Sequence, residues 1–181
     1  MIKTLIQAIA FTLALLLVSS CVNKGDSNSS KSSSDVLKSY QEQEVGRIIS
    51  VPPAMAALLL DKAQPGNDSL ASLLSNTQKV LFLIAPLDSK PKEQKLREDI
   101  ASQLNEINFR SIATMDNGHE QVIVKTLSSE GENYSEMVVI VSNHKALVCV
   151  SFLGNFSQET VASLTLPKNI DILPELNRFL Q

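Results

Sequence analysis

Two spacings of apolar residues divide the chain. Leu96, Ile100, Leu104 and Ile107 recur at helical intervals with charges between them. This predicts an amphipathic helix, begun at Asp88–Pro91, with one face on a sheet. Just before it, Lys79–Pro86 (KVLFLIAP) is apolar at consecutive positions, as expected of a strand covered on both faces. After it, strand-like runs at Phe109–Met115, Glu120–Leu127, Tyr134–Ser142 and Ala146–Leu153 alternate with turns at Asp116–His119, Ser128–Asn133, Asn143–Lys145 and Gly154–Ser157. Asn117-Gly118 is a strong hairpin signal, and short loops force antiparallel neighbours. Upstream, Val45–Val51 reads as a strand and Pro52-Pro53 opens a helix carrying Met55, Leu58 and Leu59. Leu70, Leu73 and Leu74 suggest a further helical turn or two. Ser157 caps a last short helix, QETVASL. The expected fold is α+β, one domain over residues 45–165, with an antiparallel meander and helices packed on one face. Residues 166–181 are expected to be a tail or a short helix around Pro174–Leu180.

The N-terminal pattern is different in kind. Lys3 precedes an apolar run over residues 5–18, after which come Ser19, Ser20 and Cys21. A charged start, an apolar middle of about 7–15 residues and small residues at the cut describe a secretory signal peptide. The run is short for a spanning helix, which needs about 20 apolar residues. Val18-Ser19-Ser20-Cys21 resembles the lipobox of bacterial lipoproteins. That resemblance implies cleavage between Ser20 and Cys21, a diacylglycerol thioether on Cys21 and an N-acyl chain on its amine. The competing readings are an ordinary signal peptide with a chance cysteine and an uncleaved anchor. Two or more acyl chains hold a protein to a bilayer where one does so only marginally. Residues 22–35 (VNKGDSNSSKSSSD) have almost nothing apolar to bury. Composition therefore predicts a flexible leash over residues 21–44. Val22 rather than Asp after the cysteine favours, by analogy, an outer-membrane anchor with the domain in the periplasm.

Composition adds limits. The chain has 181 residues, of which 44% are hydrophobic and 4% aromatic with no Trp, so its core is aliphatic. A net charge of −3 gives no electrostatic grip on nucleic acid. If Cys21 is lipidated, Cys149 is left without a partner. Its neighbours Leu147, Val148, Val150 and Phe152 predict a buried thiol rather than a nucleophile.

Chemistry is sparse. His119 and His144 fall in two turns separated by two strands, so the meander allows both at one end. With Asp116 and Glu120 they make a set from which a metal site can be drawn. Solvated turn residues are the preferred reading, because no HExxH, no helically spaced His pair and no CxxC supports a site. No serine lies in G-x-S-x-G, and the six glycines are isolated, so neither a nucleophile elbow nor a phosphate loop is present. Glu93, Lys95, Arg97, Glu98 and Asp99 read as a solvated helix face. No catalytic residue and no cofactor beyond the lipid on Cys21 is expected.

The lipobox, the Val51–Leu58 helix start, the KVLFLIAPL strand before a charged helix, the meander from Met115 and the closing Val150–Phe156 together resemble a bacterial lipoprotein family. It is the domain of unknown function 4252, found mainly in Bacteroidetes, and the likeness covers about residues 45–165. It implies an envelope location, no assigned activity and a link to envelope stress through neighbouring sigma-factor genes. The expected function is a membrane-anchored, non-catalytic module contacting another envelope protein. The alternatives are a small apolar-ligand domain with a pocket lined by Met55, Leu58, Leu59 and Leu104, and, less favoured, a hydrolase or metal enzyme.

Overall fold

A computed structural model describes residues 31–58, 67–129 and 132–165. In chain order the elements are α1 (Ser33–Glu42), β1 (Arg47–Val51), α2 (Pro53–Leu58), α3 (Asn67–Ser75), β2 (Thr77–Pro86), α4 (Lys90–Glu106), β3 (Arg110–Asp116), β4 (Gln121–Ser128), β5 (Asn133–Ser142), β6 (Ala146–Ser157) and α5 (Gln158–Leu164). All neighbouring strands are antiparallel, in the order β1-β2-β6-β5-β4-β3. The last four strands form the expected meander. The β1–β2 pair joins it through β6, so α4 carries the chain from β2 to the far edge. The α+β class and single domain are as expected.

The placement of the helices is not. They cover both faces of the sheet. Alternation sends Val80 and Phe82 to one side and Leu81, Leu83 and Ala85 to the other. The first side packs Met137, Val139, Val150, Phe152 and Phe156 under α2, α3 and α5, through Ala56, Leu70, Leu73, Leu74, Val161 and Leu164. The second packs Val138, Ile140, Leu147 and Cys149 under α1 and α4, through Val36, Leu37, Tyr40, Ile100 and Leu104. This is why β2, β5 and β6 read as continuous apolar runs.

Part of the leash expected over residues 21–44 is instead helix, Ser33–Glu42. Ser32 donates its N–H to Asp35 Oδ2 at 2.9 Å, which closes the first turn and holds the Asp35 carboxyl below its usual range. At the other end Val45 N–H reaches Tyr40 O at 2.9 Å and Glu44 N–H reaches Gln41 O at 3.0 Å, a Schellman stop. α4 ends the same way, with Phe109 N–H on Leu104 O and Asn108 N–H on Asn105 O, both at 3.0 Å. Glu44 and Asn108 hold the left-handed conformation this needs, at φ 59° and 70°.

Gly154, expected in a turn, lies inside β6, which continues to Ser157. A Cβ there would stand 2.2 Å from the Asn76 carbonyl oxygen, so close approach of the chain ahead of β2 requires glycine. Ser157 caps α5 as expected, its Oγ accepting from Thr160 N–H at 3.1 Å. Signal peptide, Ser20, Cys21, Val22, Leu59 and the 166–181 tail lie outside the described residues. Among those described, no helix is long and apolar enough to cross a membrane.

Candidate functional site: a polar cleft at one end of the sheet

The β3–β4 and β5–β6 turns stand at the same end of the meander, as counting strands requires. Asn117 Oδ1 accepts the N–H of His119 at 3.0 Å and of Glu120 at 2.8 Å, while Gly118 takes φ 82° at the tip. Asn143 folds its own turn in the same manner, accepting from Lys145 and Ala146 N–H at 2.9 and 3.1 Å. Its Nδ2 donates to Glu120 Oε1 at 3.4 Å and so ties the two turns together.

Between these turns and the start of α4 lies a cleft of about 260 Å³, lined among others by Lys90, Glu93, Asp116, His119, Glu120, Ser142 and His144. All four residues singled out in the sequence as a possible metal set therefore reach one cleft. They do not converge as ligands. Asp116 is engaged by Gly118 N–H at 2.8 Å and by the Gln121 amide. These donors, the backbone one foremost, hold its carboxyl below the usual range. Among the described residues no three His, Cys, Asp or Glu side chains are placed to hold one metal ion. His119 and His144 are exposed.

The floor of the cleft corrects a second expectation. Glu93 and Arg97, read as part of a solvated face, are 6% and 8% exposed. Arg97 Nη1 donates to Glu93 Oε1, and Ser142 Oγ donates to the same oxygen at 2.6 Å. Lys90, Glu93, Ser142 and Asn143 were missed as site residues. The available signal was helical phase: 93, 97, 100 and 104 continue the buried stripe toward the N-terminus. Lys95, Glu98 and Asp99 are exposed as expected.

Chemically, the cleft offers amide, imidazole, ammonium and carboxylate groups to a polar, water-soluble ligand. Its one hydroxyl, on Ser142, is committed to a carboxylate that already holds a guanidinium. That is not the nucleophile–base–orienter set of a hydrolase.

Other candidates fare differently. Cys149 is fully buried, and burial pushes its thiol up, away from the reactive thiolate. Among the described residues, Met55, Leu58 and Leu104, expected to line one apolar pocket, do not come together. Met55 and Leu58 are 58% and 83% exposed on α2, whereas Leu104, on α4, is buried against the opposite face of the sheet. Lys125 is buried, donating to Asn105 Oδ1 at 2.7 Å and Ser111 Oγ at 2.9 Å, and burial lowers its ammonium pKa.

A family model described as a domain of unknown function, DUF4252, matches residues 40–164. The chain belongs to that family. The match spans the sheet and every described helix except the first seven residues of α1. No curated protein and no solved structure matches the chain.

Proposed function

We propose that this member of the family is a lipid-anchored protein of the bacterial cell envelope, acting by contact with another envelope protein rather than by catalysis. The observation that carries the reading is the run of apolar residues ending in Val18-Ser19-Ser20-Cys21 and followed by a serine-rich stretch of sequence. Apolar core, small residues and cysteine fall in the register that export, cleavage and lipidation need. The outer membrane, with the domain in the periplasm, is the favoured address, because Val22 follows the cysteine. A non-catalytic role is supported by a cleft whose hydroxyl, carboxylates and turn amides are already engaged with one another.

Replacing Cys21 with Ser tests the anchor. In the native host, the wild-type chain is expected in the membrane fraction and labelled by palmitate, and the variant soluble and unlabelled. A variant that stays membrane-bound and labelled overturns the reading. For the contact role, crosslinking in the intact envelope is expected to recover one specific partner, and recovery of none counts against it.

A further inference from the structure

The cleft holds opposite charges that do not meet. Lys90, at the start of α4, lines one side, and Asp116 and Glu120, at the two ends of the β3–β4 turn, line another. Among the described residues the side-chain ion pairs are Lys92–Asp88 and Arg97–Glu93, so Lys90 pairs with neither carboxylate. On the floor, Glu93 Oε1 is engaged by Arg97 and Ser142. Asp116 is engaged at both oxygens, by Gly118 N–H and by the Gln121 amide. Glu120 is not. Its Oε1 accepts one long bond, from Asn143 Nδ2 at 3.4 Å, and its Oε2 accepts none. The Lys90 ammonium and the His119 and His144 rings make no hydrogen bond among the described residues.

What remains unengaged is therefore an ammonium and two imidazoles as donors, and one carboxylate oxygen as acceptor. A simple anion in the cleft would meet Lys90 but also two carboxylates. A simple cation would meet Glu120 but also Lys90. A molecule that carries both a carboxylate and an ammonium satisfies each side, and such charge-assisted bonds are stronger than neutral ones. Size and lining narrow the class further. The cleft, at about 260 Å³, is smaller than the roughly 300–1,000 Å³ of sites for drug-sized ligands. No Leu, Ile, Val, Met or Phe lines it, so the ligand brings no long apolar side chain.

We infer that the cleft binds a free α-amino acid with a short, polar side chain, its carboxylate toward Lys90 and the imidazoles and its ammonium toward Glu120. The site belongs to the folded domain and does not depend on the lipid-anchor reading.

His119 and His144 are the chain's 2 histidines, and both line the cleft, so their ring signals in NMR report its occupancy directly. The full chain, purified in detergent and held near neutral pH, is titrated with L-serine, with 3-hydroxypropionate, which lacks serine's ammonium, and with ethanolamine, which lacks its carboxylate. Serine is expected to shift both ring signals saturably, with a midpoint about tenfold below that of either analogue. Lys90→Met is expected to weaken serine about tenfold without weakening ethanolamine, and Glu120→Gln to weaken serine about tenfold without weakening 3-hydroxypropionate. Lys90 is exposed and Glu120 half-buried, so neither change empties the core. Serine that shifts neither signal, or a one-charge analogue that binds as tightly as serine, overturns the amino-acid site. Serine binding untouched by both substitutions, or a substitution that weakens all three ligands alike, overturns the assignment of the ligand's two ends.

Discussion

The two faces of the sheet solve the same problem with different materials. Under α2, α3 and α5 the interior is apolar. Its buried polar side chains among the described residues are Thr77 and Thr126, and Thr77 Oγ1 donates to Leu73 O at 2.8 Å. Under α1 and α4 lie all the buried charged side chains of the described residues: Glu93, Arg97, Lys125 and Glu136. Ser33, Ser34, Ser142 and Ser151 join them. Burying a charge is costly unless it is paired and hydrogen-bonded; Glu93 and Arg97 pair with each other, and Lys125 and Glu136 are held by neutral hydrogen-bond partners. Glu93 has Arg97 and Ser142, Lys125 has Asn105 and Ser111, and Glu136 has Ser33. The first face supplies cohesion. The second fixes geometry: it clamps the start of α1 and sets the floor of the cleft. Polar contacts specify position in a way that a purely apolar surface, which tolerates sliding, does not.

Breaking the apolar face should do the most damage. Phe152→Ala removes a ring that is 1% exposed between β2 and β5, and is expected to cost about 3–5 kcal/mol. Urea unfolding measures this, and a loss below about 1 kcal/mol would mean that face is loosely packed. Next comes the charged floor. Arg97→Ala leaves Glu93 buried without its cation and is expected to cost about 3 kcal/mol. Replacing both, Arg97→Met with Glu93→Leu, should recover much of the loss, because the uncompensated charge goes with the pair. A double variant less stable than the single one would show that the pair itself holds the fold together.

The apolar face was legible in the sequence and the polar one was not, for a physical reason. Val80, Phe82, Met137, Val139 and Val150 declare burial through residue type and strand period. Ser33 and Ser34 declare the opposite, since a serine-rich stretch has nothing apolar to bury. What holds Ser33 in the interior is Glu136, more than a hundred residues on, and no local window contains it. That is why α1 was expected to be leash and the helices were expected on one face. The cleft was half legible. Strand parity placed His119 and His144 at one end, because parity follows from topology alone. Whether their side chains converge depends on turn conformation. Asn117 and Asn143 set that by capping backbone N–H groups, and Asp116 is spent within its own turn.

The clamp gives a smaller and pH-dependent effect. Glu136→Ala leaves the Ser33 N–H without its acceptor and is expected to cost about 1–3 kcal/mol. Burial, outweighing the hydrogen bonds from Ser33, raises the Glu136 carboxyl above its ordinary value of 4.5. A carboxyl raised on folding contributes stability that is complete below the unfolded value and declines as pH rises through the folded one. The wild-type chain should therefore lose stability relative to Glu136→Gln as pH climbs above about 4.5, the ordinary value for Glu. Urea midpoints of the two proteins across that range read the trend, and a pH-independent gap would mean the folded carboxyl is not raised.

The smallest effect isolates burial as the variable. α4 is entered through a second ion pair at the same spacing, Lys92 Nζ to Asp88 Oδ2 at 2.6 Å, but with side chains 67% and 68% exposed. Lys92 is the main cause holding the Asp88 carboxyl below its usual range. In water the attraction is screened, and ordering two mobile side chains opposes it. Lys92→Ala is accordingly expected to leave the urea midpoint unchanged, while the Asp88 titration followed by NMR moves up toward the ordinary value. If Lys92→Ala instead destabilised the fold as much as Arg97→Ala, the two faces would differ in composition only. The distinction between charges that position and charges that merely decorate would then have to be drawn somewhere other than burial.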